Sequence, residues 1–223
     1  MPTTFSETPK RIAVKLKPAA ERMVKKGHPW IFDRAIVKQS QEAACGDLAI
    51  IYDRKKNKFL ACGLFDPHSP IRIKLLQFHR PAPIDAEWFK NKLSIAFEKR
   101  QELLQTDTNS YRFLYGENDG LPGLIADVYA QVLVLKLYSA IWLPFIDLLL
   151  PLLIEFSQTK TIVLRLSRQI QPILENSEYF DGALLYGNLD NEVVIFREHG
   201  LLFEANVIKG HKTGYFLDHR HNR

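Results

Sequence analysis

The sequence predicts an α+β protein, with a small and mostly β barrel ahead of a domain of mixed strands and helices. Residues 11–80 hold short apolar or alternating runs set between turn signals. The segment Arg80-Pro81-Ala82-Pro83 then restricts the backbone and removes amide donors, which marks a boundary. Beyond it, strand-like and helix-like stretches alternate without a regular βαβ beat. The expected organisation is a barrel over 1–80, a linker at 81–83, a central α+β domain over 84–207 and a terminal segment, 208–223.

Each element has its own cause. Ile12 to Lys17 alternates apolar and basic residues, a strand pattern. Pro18 opens a short helix, Ala19 to Lys26, and Gly27 ends it. Asp47 to Asp53 and Phe59 to Phe65 flank the basic turn Arg54-Lys55-Lys56-Asn57-Lys58, so they read as a hairpin. Ile71 to Phe78 alternates again. Asp85 caps a long helix, Ala86 to Leu104, whose apolar residues Trp88, Phe89, Leu93, Ala96, Phe97 and Leu104 recur at helical spacing. Strands are expected near 112–115, 124–127, 132–138, 162–166, 193–197 and 201–205. An apolar helix is expected around Pro144 to Phe156, kinked or split by Pro151.

The composition, 46% hydrophobic and 25% charged, is that of a soluble globular protein. No run of eighteen apolar residues lacks a charge, and the polar start lacks the apolar core of a signal peptide, so a cytoplasmic protein without membrane contact is expected. Cys45 and Cys62 lie beside small or apolar residues and form no CxxC pair, so they read as small buried side chains. The charge is lopsided. Residues 1–80 carry 16 Lys and Arg against 7 Asp and Glu, while the rest carry 14 against 18. A concentrated basic segment favours a polyanionic partner, because phosphates gain from neutralisation and counterion release.

Three motifs stand out. His28-Pro29-Trp30-Ile31-Phe32 follows the basic helix and offers either a flat aromatic surface beside the charges or a plug for the barrel. The run 110–123 ends in Gly116-Glu117-Asn118-Asp119-Gly120-Leu121-Pro122-Gly123, a tight turn that lacks the ending of a phosphate loop. The terminal run Lys209-Gly210-His211-Lys212-Thr213-Gly214-Tyr215-Phe216-Leu217-Asp218-His219-Arg220 mixes charge, glycine and aromatics. Such a mixture is costly to bury without partners and reads as a ligand-facing loop leading into a helix.

In this order the motifs resemble the RlmI-like family of bacterial ribosomal RNA cytosine-5 methyltransferases, over nearly the whole chain. Two positions depart from the family pattern. Arg197 stands at the first acid of its Glu-Glu-His-Gly element, and His219 stands at the Gln of its LDQR motif. The resemblance implies a PUA-like RNA-binding barrel, a central α+β domain and a following Rossmann-like domain that binds S-adenosylmethionine (SAM). It also implies methylation at carbon 5 of a cytosine in large-subunit rRNA, by way of a cysteine thiolate attacking carbon 6.

The chain is expected to stop before that Rossmann-like domain, to hold no catalytic residue, to bind no SAM and to be inactive alone. The implied RNA-docking residues are Arg22, Lys25, Lys26, His28, Trp30, Arg34, Arg54, Lys55, Lys56 and Lys58. Lys212, Thr213, Gly214, Tyr215, Phe216, Asp218 and Arg220 are expected beside the active site, with Lys212 and Arg220 toward phosphate and Asp218 orienting one of them, or else as a hinge. A stand-alone RNA-binding module is the other class left open, as is a zinc site of His211, Asp218, His219 and His221, although no metal is expected. Apolar residues around 201–207 and 215–217 suggest self-association as a homodimer.

Overall fold

The computed structural model describes residues 9–175 and 177–222, the last two of these by backbone only. It divides into two compact units. The first holds the described residues up to Ile84, with 120–122 and 139–146; the second holds 85–119, 123–138 and 147 onward.

The first unit is a six-stranded sheet with one helix. Its elements are β1 (Arg11–Leu16), α1 (Pro18–Lys25), β2 (Trp30–Ile31), β3 (Ile36–Gln39), β4 (Leu48–Tyr52), β5 (Phe59–Phe65) and β6 (Ile73–Phe78). The strand order is β2-β6-β5-β4-β1-β3, with β1 parallel to β4 and the other pairs antiparallel. Alternation in β1 sends Ile12, Val14 and Leu16 inward and Arg11 and Lys15 outward. These side chains join Val24, Ile31, Ile51, Ile73 and Leu75 in one core. Gly63 is required where β5 crosses β6, because a Cβ there would lie 2.2 Å from the Lys74 carbonyl oxygen. A buried polar knot completes this unit: Asp66 Oδ2 accepts from Lys74 Nζ (2.8 Å) and from Ser139 Oγ (2.6 Å).

The second unit contains α2 (Ala86–Glu98), α3 (Gln101–Leu104), β7 (Ser110–Tyr115), β8 (Leu124–Tyr129), β9 (Val132–Leu137), most of α4 (Ile146–Ser157), β10 (Thr161–Leu166), β11 (Leu184–Tyr186), β12 (Val193–Glu198) and β13 (Leu201–Asn206). Five strands form a sheet in the order β11-β10-β9-β8-β7. Only β9 and β10 run parallel, joined by the crossover that includes α4. Strands β12 and β13 form a separate hairpin. Phe196, Ala205, Val207 and Leu217 pack with Tyr129, Val134 and Val163.

Two helix expectations need correction. The helix after Asp85 does not run unbroken to Leu104, because Arg100 ends it. Its guanidinium folds back to donate to Ala96 O, Arg112 O and Asp119, which caps the last turn and starts α3 anew. Pro151 does not split α4, which continues through it. The carbonyl it orphans belongs to exposed Asp147, where water can satisfy it. The break falls earlier, at Pro144, where a 3-10 turn (Ala140–Phe145) precedes α4. This run of 18 residues, Ala140–Ser157, is long and apolar enough to cross a membrane by composition, yet Ile141, Trp142, Phe145, Leu149 and Leu153 are buried inside the protein. Strand β11 escaped the sequence reading because it is three residues long and mostly solvent-facing.

Candidate nucleic-acid interface

In the first unit, Val24 and Glu21 point α1 inward, so Arg22, Lys25 and Lys26 face solvent. Glu21 then does two things. Its Oε1 pairs with Lys25 Nζ (2.6 Å), and its Oε2 accepts the backbone N–H of Arg54 (3.1 Å). One carboxylate thereby ties the basic helix to the basic hairpin tip, segments thirty-three residues apart. The tip is folded by Asp53, whose carboxylate accepts the Lys56 N–H. That bond holds the Asp53 carboxyl below the usual carboxylate range, with the Lys58 amide and Lys25 acting the same way. Asn57 takes the left-handed conformation that closes the turn, and Arg54, Lys55, Lys56 and Lys58 all project outward.

Alternation across β2 buries Ile31 and leaves Trp30 36% exposed, so the tryptophan is a surface group and not a barrel plug. His28 stands edge-on to it, with ring centroids 5.9 Å apart. Phe32 and Met23 add exposed apolar area, each 46% accessible. Arg34 lies exposed in the 3-10 turn Asp33–Ala35. Of these basic side chains, Lys25 alone is in an ion pair among the described residues.

The terminal segment of the second unit is differently built. Asp127, fully buried, accepts a fork from Arg112 Nε and Nη2 (2.8 and 3.0 Å) and a hydrogen bond from Thr213 Oγ1 (2.6 Å). Burial disfavours the Arg112 charge, but Asp127 and Asp218 more than offset it and raise its pKa. Thr213 lies 2.9 Å from the Tyr129 hydroxyl, which accepts the Tyr215 N–H. Gly214 has a φ of +126°, and a Cβ there would meet Asn206 O at 3.0 Å. The Tyr215 ring packs on Phe196 and Phe203, with centroids 5.1 and 5.5 Å away. Arg220 turns inward, donating to Ser110 O (2.6 Å) and lying 3.7 Å from buried Glu198.

This segment is therefore a docked strap more than a free loop, and it ends in a 3-10 helix, Leu217–Asn222. Asp218 faces Arg112 (3.7 Å) and not Lys212 or Arg220. Lys212 lies over the Phe216 ring, 4.7 Å from its centroid. Val207 and Leu217 are buried, so the apolar surface suggested at 207 and 215–217 is largely internal; Ile195, Leu201 and Leu202 on the β12–β13 hairpin are the exposed ones. The departure at Arg197 is half-exposed and pairs with Asp107 (3.2 Å), and His219 is exposed, so neither position constrains the core. The sequence reading missed Arg112, Asp127 and Tyr129. A charge of each sign amid the apolar runs SYRFLY and LIADVY was the available signal.

Both cysteines are buried thiols. Burial pushes Cys45 up to about 12, with Asp66 adding to it, and Cys62 up to about 11. Among the described residues no three His, Cys, Asp or Glu side chains cluster as metal ligands, and the His221 side chain lies outside the described set. Nor do those residues offer the strand, glycine loop and helix that would cradle an adenosyl cofactor.

A PUA-like domain family matches residues 14–78. A ribosomal RNA large subunit methyltransferase of Deinococcus radiodurans is 42% identical over 218 residues, 96% of this chain and 53% of that protein. A ribosomal RNA large subunit methyltransferase I of Pseudoalteromonas translucida is 32% identical, over 95% of this chain and 53% of its own length. The fold also matches a Streptococcus mutans protein assigned as a SAM-dependent methyltransferase (TM-score 0.77, 17% identity, 94% of this chain and 52% of that one). A protein assigned as a methyltransferase and crystallised with S-adenosylhomocysteine matches similarly (TM-score 0.78, 17% identity, 96% of this chain and 52% of that one). The chain spans about half the length of the curated relatives it matches. With a PUA-like unit at 14–78 and relatives aligned along nearly all of its length, the chain belongs to the RlmI-like family of large-subunit ribosomal RNA methyltransferases.

Proposed function

We propose that this chain is the RNA-recognition portion of a SAM-dependent rRNA cytosine-5 methyltransferase, and that its first unit docks large-subunit rRNA. The observation that carries the reading is the Glu21 bridge. It gathers Arg22, Lys25 and Lys26 with Arg54, Lys55, Lys56 and Lys58 into one solvated basic face, and Trp30 lies exposed two residues past the helix-ending turn. Charges of this kind hold RNA by its backbone, and an exposed aromatic ring takes an unstacked base.

The cytosine-5 reaction rests on the resemblance of the ordered motifs to the family. It needs a thiolate nucleophile, and neither buried cysteine serves: desolvation keeps both as neutral thiols. The described residues thus supply recognition, and the expected result with rRNA and radiolabelled SAM is no methyl transfer by this chain alone. Methyl incorporation would overturn that assignment.

The docking reading is tested by replacing Lys25, Lys26, Lys55 and Lys56 together with Gln and measuring RNA affinity against salt. The expected result is a loss of at least about tenfold and a shallower salt dependence, because fewer counterions are released. Unchanged affinity would remove the first unit from the interface.

A further inference from the structure

The second unit holds a basic cavity that the docking surface does not use. It measures about 560 Å³ and opens beyond the carboxyl ends of the parallel strands β9 and β10. Ligands of α/β sheets sit at such ends, because the loops there diverge and leave a crevice. Lys136, Arg165, Arg168, Lys209 and Lys212 line it, against one acid, Asp181.

The basic groups divide into structural and available ones. Arg165 is buried and builds the floor. Its Nε donates to Asp181 Oδ1 (3.0 Å), and its Nη1 donates to Val207 O and Gly210 O, which fixes the terminal loop against β10. Asp181 is held in turn by the Leu166 N–H (2.6 Å). Lys209 pairs outward with Glu192 (2.9 Å). Lys136, Arg168 and Lys212 form no ion pair among the described residues, although Asp181 acts on Lys136 through space. Lys136 is nearly buried and donates to Leu166 O (3.0 Å). Burial lowers its pKa, so a nearby anion would favour its charged form.

A neutral group points the same way. Ser167 Oγ is buried on the cavity wall with no hydrogen-bond partner, and an unpaired hydroxyl shielded from water is unfavourable unless something accepts from it. A surplus of cations, a spare hydroxyl donor and a concave floor together suit a tetrahedral oxyanion. Plain surface charge would leave no buried donor without a partner.

We infer that this cavity binds a phosphate group of an RNA strand, through Lys136, Ser167, Arg168 and Lys212. The inference rests on the reading that the chain recognises RNA, and it adds a second contact on the second unit. That contact is sequence-independent, since phosphates carry no base identity.

The test uses the whole chain and a fluorescein-labelled RNA hairpin, with lysine acetylation footprinting read by mass spectrometry. Replacing Arg168 and Lys212 with Gln is expected to weaken RNA binding about fivefold or more and to reduce the salt slope by about one or more. In the unaltered protein, RNA is expected to shield Lys212 from acetylation. Normal affinity of the Arg168→Gln/Lys212→Gln variant, together with equal Lys212 labelling with and without RNA, would overturn the cavity site. The first-unit docking reading would survive that result if the four-lysine variant still lost affinity. Loss in neither variant would overturn both. If inorganic phosphate shields Lys212 and RNA does not, the cavity takes a small free anion and the RNA assignment fails. Thermal unfolding of both variants checks that any loss is one of binding and not of folding.

Discussion

Apart from the buried Lys74–Asp66 pair of the first unit, the two units handle most of their charge differently. The first leaves its cations in water around α1 and the hairpin tip, with the Glu21–Lys25 pair at their base. The second pairs its charges inside the fold: Arg112 with Asp127, Arg100 with Asp119, and Arg220 near Glu198. A solvated cation contributes little to stability and is available to a partner, whereas a buried pair fixes geometry and is strongly destabilising to break. The same residue types are therefore open to a partner where they are solvated and serve architecture where they are buried. Mutations should separate the two by what they damage.

The largest effect is expected at Asp127. Replacing it with Ala leaves the Arg112 guanidinium without its fork and Thr213 without its acceptor, at a site sealed from water. Urea denaturation should show a loss of about 3–5 kcal/mol, as for other broken buried pairs. The strap at 213–220 should also become a protease target. A loss under about 1 kcal/mol would place this charge with the solvated class and break the contrast.

Asp119 comes next. Its carboxylate accepts from both Arg100 Nη atoms, from Lys99 Nζ and from the Tyr115 N–H, and so organises the 116–123 turn. Burial alone would raise its pKa, but the Arg100, Tyr115 and Lys99 bonds outweigh it and leave the value lowered. A depressed folded value means that the stabilisation is complete above the unfolded value, at about pH 4, and is lost as pH falls through the folded value. Asp119→Asn should cost about 2–3 kcal/mol at neutral pH. The gap between variant and parent should close on acidification below about pH 4. A gap that stays constant from pH 7 to about pH 2 would show that shape, not charge, holds the turn.

The first unit should answer differently. The four-lysine variant proposed above should lose RNA affinity while its unfolding midpoint barely moves, since exposed substitutions stay within about 0.5 kcal/mol each. A large stability loss there would mean that the tip lysines hold the hairpin, and that the Asp53 turn does not suffice.

How much of this contrast was legible beforehand depends on burial. Strands β1, β4, β5 and β6 and helix α1 were readable because one-sided burial leaves alternation and caps in the sequence, as at Ile12, Val14 and Leu16, whereas the short β2 and the mostly exposed β3 left no such pattern. The lopsided charge could be counted. The Glu21 bridge could not, because nothing local announces a bond from a helix to an amide thirty-three residues on. In the second unit, β9 and β10 are buried on every residue, so periodicity says nothing about which side chains meet. Hence Lys136 and Arg165 gave no warning of a cavity, and the Thr213–Asp127–Arg112 network was hidden in what read as a ligand-facing loop. Mixed charge in that loop did signal partners; they were inside the chain.

The smallest effect sharpens the contrast most, because it separates a side chain that binds from one that packs. Trp30 and Ile31 are neighbours on β2, one 36% exposed and the other 1%. Ile31→Ala removes core contacts and should destabilise by about 2 kcal/mol or more, with RNA affinity of the folded fraction unchanged. Trp30→Ala should do the reverse: stability shifts by less than about 1 kcal/mol, and RNA affinity falls by about 1 kcal/mol, near the lower end for loss of a stacked base. Trp30→Phe keeps a π face and should recover most of the affinity. Fluorescence offers a direct check, since base stacking would quench Trp30 on RNA addition. Quenching that is absent, with affinity unchanged in Trp30→Ala, would leave the first unit binding by phosphate charge alone.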